Sequence, residues 1–155
     1  MENTPDIMLR PAVDADLPGI RTLFRSTVLH VCAGDYDANQ LQAWASGADD
    51  PERWQKLLNT TELIVAVAGD GRLAGFAALE RPSHIEMMYA GKDFQGMGVA
   101  ARLLRQLLSR TTGPVTAHVS RTARPFFEKH GFLVTEARFP VRNGIVIPNF
   151  AMTKP

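Results

Sequence analysis

The sequence predicts an α/β fold in which helices flank a mixed, largely antiparallel central sheet. Amphipathic segments with apolar residues at helical spacing alternate with short apolar runs that are typical of strands. Two turn signals, Gly69-Asp70-Gly71 and Arg142-Asn143-Gly144, predict hairpins between neighbouring strands. A strand, a glycine turn and a helix also follow one another between residues 84 and 110.

Composition and length predict one domain covering residues 1–155. A hydrophobic content of 45% and a charged content of 21% are ordinary for a globular protein. The net charge of +1 gives no electrostatic reason to expect nucleic acid or a membrane surface as partner. No apolar run approaches the roughly 18 residues of a membrane span, and the first ten residues show no secretory pattern. Because Cys32 is the only cysteine, we expect a reducing compartment, the cytoplasm.

The first part of the chain predicts one strand and three helices. Asp14 or Asp16 can cap the first helix, and Pro51 suits the first position of the third. The predicted elements are a strand at Ile7 to Arg10 and helices from the cap to about His30, from Asp37 to Ala45 and from Pro51 to Leu58.

The remainder predicts six further strands and two helices. Gly131 is expected to end the last helix, because glycine readily adopts the left-handed conformation found there. The predicted strands are Leu63 to Ala68, Leu73 to Leu79, His84 to Tyr89, Val115 to Val119, Leu133 to Val141 and Ile145 to Thr153, with helices at Val99 to Arg110 and Ala123 to His130.

The turn Gln95-Gly96-Met97-Gly98 is the central motif. A strand, a glycine turn and a helix together let backbone N–H groups at the helix start bind a phosphate. The alternative is a tight turn with a structural role only. A Walker A loop is excluded because no Gly-Lys-Ser/Thr follows, and the third glycine and the acidic residue of a dinucleotide fold are missing.

Two blocks of this chain resemble the GNAT superfamily of N-acetyltransferases. The run Gln95 to Ala100 is similar to the superfamily's acetyl-CoA signature, Arg/Gln-x-x-Gly-x-Gly/Ala, and Met88-Tyr89-Ala90 before it is similar to the usual Leu-Tyr-Val. The run Ala123 to Phe132 resembles the second signature, Ala-x-x-Phe-Tyr-x-x-x-Gly-Phe. The segment Asp35 to Trp44 and the ending Asn149 to Lys154 look like those of a subgroup of small bacterial single-domain members.

The resemblance implies a GNAT-type acyl-CoA acyltransferase fold. It also implies an enzyme that moves acetyl from acetyl-CoA directly to a primary amine in a ternary complex. Such an enzyme is an acyltransferase that transfers groups other than amino-acyl groups. Coenzyme A would be released as product. The residues that the resemblance places at the cofactor are Met88, Tyr89, Ala90, Gln95, Gly96, Met97, Gly98, Val99, Ala100, Thr122, Ala123, Phe126 and Phe127.

The catalytic base is expected on the strand that enters the site. His84 and Glu86 lie two residues apart and so on one face, and the superfamily often places a carboxylate on this strand. His84 matches the family position better, and Glu80 is a weaker candidate. The alternative is that both are polar strand residues without a catalytic role.

The residues expected to protonate the leaving thiolate differ from the family pattern. Phe127 stands where the superfamily usually has a tyrosine, and Thr122 where it often has an asparagine. Water could supply the proton, because a thiol with a pKa near ~8.5 is a tolerable leaving group. Tyr36, Tyr89 and the Thr122 hydroxyl are the alternatives, although strand alternation predicts that Tyr89 points away from His84 and Glu86.

The acceptor is expected to be a small-molecule or peptide amine, contacted by Tyr36, Trp44 and the turn at residues 142–144. Core packing is the alternative for Trp44. No Cys/His cluster predicts a metal site, and a homodimer is an option because dimers are common in the superfamily. Two rival functions stay open: a non-catalytic acyl-CoA-binding or sensing module, and an interaction protein that keeps the fold.

Overall fold

The computed structural model describes residues 6–155. Its α-helices and strands follow the predicted order, with short 3-10 turns between some of them. The helices are α1 (Leu17–Val31), α2 (Ala38–Ala45), α3 (Pro51–Thr60), α4 (Val99–Leu108) and α5 (Arg124–Lys129). The strands are β1 (Ile7–Pro11), β2 (Glu62–Ala68), β3 (Leu73–Glu80), β4 (His84–Ala90), β5 (Val115–Ser120), β6 (Leu133–Arg138), β7 (Val141–Arg142), β8 (Ile145–Val146) and β9 (Asn149–Lys154).

Within residues 6–155, the main sheet has the strand order β1-β2-β3-β4-β5-β9-β6. Its neighbours pair antiparallel except β4 and β5, which run parallel. Helices α1, α2 and α3 pack on one face of the sheet, while α4 and α5 pack on the other. The mixed, mostly antiparallel α/β fold predicted from the sequence is therefore confirmed.

The core consists of two clusters, one on each face of the sheet. On the first face Phe24 and Trp54 are fully buried and meet edge to face at 5.1 Å between ring centroids. On the second face Leu103, Leu104 and Leu107 of α4 are buried, because they recur at helical spacing on the side that faces the sheet. The exposed residues Arg102 and Arg105 lie on the opposite side of α4.

The predicted last hairpin is only partly correct. The sequence predicts continuous strands at residues 133–141 and 145–153, but each is interrupted at a proline, Pro140 or Pro148. Proline has no N–H to donate to a strand ladder. The outer parts, β6 and β9, belong to the main sheet, whereas β7 and β8 form a small two-stranded hairpin of their own.

The β7–β8 hairpin lies beside α2. Its turn has the predicted Asn-Gly conformation, with φ of 51° at Asn143 and 76° at Gly144. The Asn143 amide donates to Ser46 Oγ at 3.1 Å, and Gln40 Nε2 donates to the Val146 carbonyl at 3.0 Å. These contacts place the hairpin over the face of the sheet that carries α1 to α3.

None of the helices between residues 6 and 155 combines the length and apolar content needed to cross a bilayer.

Candidate active site

A cleft opens where β4 and β5 part. The two strands pair only at His84–Thr116 and Ile85–Ala117. Directly after this, β4 contains a bulge, since Ile85 pairs with Leu79 of β3 and Met87 with Ala78, so that Glu86 is skipped. A bulge bends its strand and is common beside active sites. Beyond it the strands diverge around a cleft of about 490 Å³ that lies across the edges of both.

The glycine turn stands at one side of this cleft. Gly96 and Gly98 have φ of 75° and 78°, and a Cβ built at either position would meet nothing within 4 Å. Gly98 is the N-cap of α4, and its carbonyl accepts the hydrogen bond from the Arg102 N–H at 3.1 Å. The first N–H groups of α4 therefore have no acceptor within the helix. This surface of the turn presents backbone donors with no side chain in front of them.

Some side chains around the turn pack into the core, and others line the cleft. Gln95 ties the turn to the end of β4, because its Nε2 donates to the Ala90 carbonyl at 2.7 Å. Val99 is 1% exposed and packs in the core, whereas Ala100 lines the cleft and Met97 is exposed to solvent. Among the predicted cofactor residues, Val99 can therefore contribute only its backbone.

Ionisable groups gather where the strands part. His84 Nε2 lies 3.6 Å from Glu86 Oε2, and His84 Nδ1 lies 2.7 Å from Thr116 Oγ1. The ring of His118, on β5, meets the His84 ring edge to face at 5.2 Å. Burial, with Arg138 and His84 as further causes, lowers the pKa of His118, so its ring is neutral at pH 7. Glu86 and His118 line the cleft, whereas His84 lies outside its lining, at the point where β4 still pairs with β5.

Tyr36 and Trp44 line the cleft from the side of α1 and α2. Their rings meet edge to face at 5.3 Å. The Tyr36 hydroxyl donates to the Pro148 carbonyl at 2.6 Å and accepts from the Arg121 N–H at 2.9 Å. Burial raises the pKa of this hydroxyl. Because the hydroxyl already serves two backbone groups, Tyr36 offers the cleft its ring and joins three loops.

The β5–α5 segment forms the remaining wall of the cleft. Thr122, Ala123, Phe126 and Phe127 all line it. Phe127 is only 4% exposed and meets the Phe132 ring at 5.0 Å, so it also belongs to the core. The Thr122 hydroxyl donates to Asp35 Oδ2 at 2.7 Å.

Comparison with known proteins identifies the family. Residues 32–154 match the family model of the acetyltransferase (GNAT) domain. The chain belongs to the GNAT acetyltransferase family. As a member of this family it is an acyltransferase.

Individual relatives agree with the family assignment. The uncharacterized N-acetyltransferase YafP of Escherichia coli is 26% identical over 147 residues, which are 95% of each chain. A GCN5-related N-acetyltransferase (aminotransferase, class-II) of Rhodopseudomonas palustris is 30% identical, with a TM-score of 0.90 over 99% of this chain and 97% of that one. PaiA N-acetyltransferase of Thermoplasma acidophilum, solved in complex with coenzyme A, shares the fold, with 18% identity, a TM-score of 0.76 and coverage of 96% and 98%.

The bulge in this GNAT acetyltransferase corrects one prediction. Alternation along an ideal strand predicts that Tyr89 points away from Glu86. Ile85 packs on the face of the sheet that carries α4, but Met87 and Tyr89 pack on the face that carries α1, so the faces exchange at the bulge. Tyr89 and Glu86 consequently both line the cleft. Burial raises the pKa of the Tyr89 hydroxyl, so it stays protonated.

Sequence reasoning missed several residues of the cleft in this GNAT acetyltransferase, among them Arg53, Arg138 and His118. His118 could have been identified from the sequence, because strand alternation places it on the same face of β5 as Thr116 and Ser120. No sequence pattern could have identified Arg53, which reaches the cleft from α3 across the ring of Phe24. Between residues 6 and 155, no group of three or more His, Cys, Asp and Glu side chains is arranged to hold a metal ion.

Proposed function

We propose that this chain transfers acetyl from acetyl-CoA directly to a primary amine within a ternary complex. The observation that carries the proposal is the parting of β4 and β5, which opens a cleft between an unobstructed glycine turn and the carboxylate of Glu86. A backbone anion site and an acid–base group at opposite sides of one cleft are what this reaction requires. The coenzyme A bound to the PaiA relative supports the choice of donor.

The residues present fit acetyl-CoA. The turn from Gln95 to Ala100 would hold the pyrophosphate through its N–H groups, since a Cβ at Gly96 or Gly98 meets no neighbour and the α4 dipole favours an anion. Met88, Tyr89 and Ala90 lie on β4 past the last pair with β5, so their backbone groups on that edge would receive the pantetheine arm as an added strand. Phe126, Phe127, Thr122 and Ala123 would flank the arm. When bound, acetyl-CoA supplies an acetyl group activated as a thioester, which passes to the amine nitrogen and leaves coenzyme A.

Glu86 is the group that faces the amine. An alkylammonium has a pKa near ~10 and must lose a proton before its nitrogen can attack. Glu86 lines the cleft and contacts His84 at 3.6 Å, so a proton accepted by Glu86, directly or through water, can be shared with His84. The neutral ring of His118 meets the His84 ring and also lines the cleft, so it offers a second acceptor. Thus Glu86 and His84 act as the base, with Glu86 closer to the reacting amine.

The other two requirements fall to the backbone and to solvent. A backbone N–H between Met88 and Ala90 would stabilise the negative charge that develops on the acetyl oxygen. Phe127 has no hydroxyl, and the hydroxyls of Tyr36 and Thr122 already donate to Pro148 and Asp35. The Tyr89 hydroxyl, which lines the cleft and stays protonated, and water are the two remaining proton sources for the thiolate. Water is sufficient for a thiol with a pKa of about 8.5.

A Glu86→Gln variant tests the proposal. The amide keeps the shape of the side chain but cannot accept the proton, so kcat/KM over a panel of amines should fall by about 100-fold or more while acetyl-CoA affinity stays within twofold. Glu52→Gln is the matched control, because Glu52 is exposed in the first turn of α3 and does not line the cleft. Release of coenzyme A thiol measures the rate, and calorimetry measures the affinity.

The outcomes separate the rival functions. Binding of acetyl-CoA by the wild type without turnover of any amine would favour a binding or sensing module, and no binding would leave an interaction protein. If Glu86→Gln retains the wild-type rate but His84→Ala loses it, His84 alone is the base.

The setting of the reaction is part of the same proposal. We propose one acetyltransferase domain over residues 1–155, working in the cytoplasm on a small-molecule or peptide amine, as a monomer or a homodimer. The lone cysteine supports a reducing compartment, and Cys32 is buried.

A further inference from the structure

We propose that the amine acceptor carries a second, anionic group, a carboxylate or a phosphonate, and that Arg53 and Arg142 bind it. An amino acid or a close analogue would fit this description. This inference rests on the proposed acetyltransferase function and names the class of its acceptor. The supporting observations all lie on the acceptor side of the cleft, away from the glycine turn.

Arg53 is a half-buried cation with no carboxylate at ion-pair distance within residues 6–155. Its Nη1 is inaccessible to solvent and has no hydrogen-bond partner within residues 6–155. The guanidinium rests over the rings of Phe24 and Trp54, at 5.4 Å and 5.3 Å from their centroids, and Arg53 is among the residues that line the cleft. Stacking on aromatic rings offsets part of the cost of burying a cation but satisfies none of its N–H donors.

Arg142 brings a second guanidinium to the same place. A Cβ built on Gly47 would lie 2.0 Å from Arg53 Nη1 and 3.4 Å from Arg142 Cζ, so both groups converge on this glycine. Because Gly47 has no side chain, it leaves room for the Arg53 guanidinium at this place. Arg142 comes from the β7–β8 hairpin, which Asn143 ties to Ser46 beside Gly47.

Two neighbouring cations repel each other unless an anion lies between them. Burial and Arg142 both lower the pKa of Arg53, which reports the same repulsion. Along the described part of the chain, no carboxylate comes within 4.0 Å of either guanidinium. An oxyanion in the cleft that accepts from both guanidinium groups would relieve the repulsion, and guanidinium groups match carboxylate and phosphonate oxygens well.

The opposite charge stands elsewhere in the same cleft. Glu86 lines it too and acts on Arg53 through space, beyond ion-pair distance. Among the residues that the structure describes, the cleft lining contains one carboxylate, Glu86, and three guanidinium groups, those of Arg53, Arg142 and Arg138, of which Arg138 donates to Asn149 Oδ1. An acceptor with an ammonium group and a separate anionic group complements both kinds of charge in one orientation, which presents its nitrogen to Glu86.

The test uses acceptors that differ at one group. Amino acids are compared with their carboxamides, and aminophosphonates form a third arm that distinguishes the two sources of the anion. We expect kcat/KM of the wild type to be at least about 10-fold higher for the anionic acceptor, since charge-assisted bonds are the stronger ones. Arg53→Met and Arg142→Met should each reduce this preference towards unity by raising KM. Arg25→Met is the matched control, as Arg25 is an exposed arginine of α1 that pairs with Asp49.

A binding measurement separates this inference from the proposed function. N-acetyl amino acids and their carboxamides are titrated into the protein saturated with coenzyme A. Preference for the free acid, lost in both cleft variants and kept in Arg25→Met, supports the anion site even if no acceptor is turned over. Failure of the proposed function alone would appear as binding of the free acid without thiol release.

Three results would overturn the inference. They are equal rates for acids and amides, equal affinities for both kinds of product, or an unchanged preference in Arg142→Met. Arg142 belongs to a small hairpin at the surface, so its variant decides the matter if Arg53→Met fails to fold.

Discussion

The two halves of the cleft are built in different ways. The half that we propose for the cofactor, the backbone half, consists of the N–H groups of a turn at residues 95–100 and the unpaired edge of β4. The half that we propose for the acceptor, the acceptor half, consists of side chains from separate segments, with Arg53 on α3, Tyr36 and Trp44 around α2, and Arg142 on the β7–β8 hairpin.

This difference explains what each half can recognise. A backbone site needs only the right turn and is indifferent to most side chains, so it can bind one unvarying ligand in many sequences. A side-chain site takes its charge and shape from residues that are far apart in the chain. It can therefore select one acceptor by placing opposite charges, such as those of Glu86 and Arg53, in one cleft lining.

The largest effect is expected from a substitution that disrupts only the backbone half of the cleft. Gly98→Glu adds a side chain at a φ of 78° and a negative charge at the α4 N-terminus, so acetyl-CoA affinity measured by calorimetry should fall by at least about 100-fold. Gly113→Glu is the matched control, because Gly113 has a φ of 73° and equally open surroundings in the turn before β5. Equal losses in both variants would mean that backbone strain, not the anion site, is responsible.

An intermediate effect is expected where side chains hold the acceptor half together. Tyr36→Phe removes the hydroxyl that joins Pro148 and Arg121, leaving two backbone groups unsatisfied. The free energy of unfolding in urea should fall by about 1–3 kcal/mol, while acetyl-CoA affinity changes less than twofold. Thr22→Ala, which removes an exposed hydroxyl bonded to the Pro18 carbonyl, should cost less. An unchanged stability of Tyr36→Phe would show that the hydroxyl does not fasten the loops.

The smallest expected effect is a pH dependence, confined to the side-chain half because residues 95–100 carry no ionisable side chain. Since the folded pKa of His118 is lowered, the unfolded chain binds its proton first on acidification. Stability is therefore lost as the pH falls from about 6.5 towards the folded pKa. Urea unfolding at pH 5 and pH 7 should show a smaller difference in His118→Asn than in the wild type, and identical differences would contradict the assignment.

Local pattern predicted most of the fold correctly, and its failures have identifiable causes. The amphipathic leucines of α4 and the Asn143-Gly144 turn lie where the sequence predicts them. The predicted last strands are too long, because the apolar alternation continues past Pro140 and Pro148, whose missing N–H groups interrupt the strands. The bulge at Glu86 was not predictable from alternation, since it arises from the pairing of β4 with β3.

The sequence alone determined the family and the glycine turn beside the cleft, because a glycine turn between a strand and a helix is a contiguous, local structure. The tertiary structure decided the acceptor half. Arg53 and Arg142 are almost ninety residues apart, and only packing around Gly47 and Phe24 brings their guanidinium groups together. Likewise the register of β3 and β4 turned Glu86 and Tyr89 towards the same cleft. Local rules encode backbone conformation within a few residues, whereas the burial of a charge depends on partners that the chain supplies only after folding.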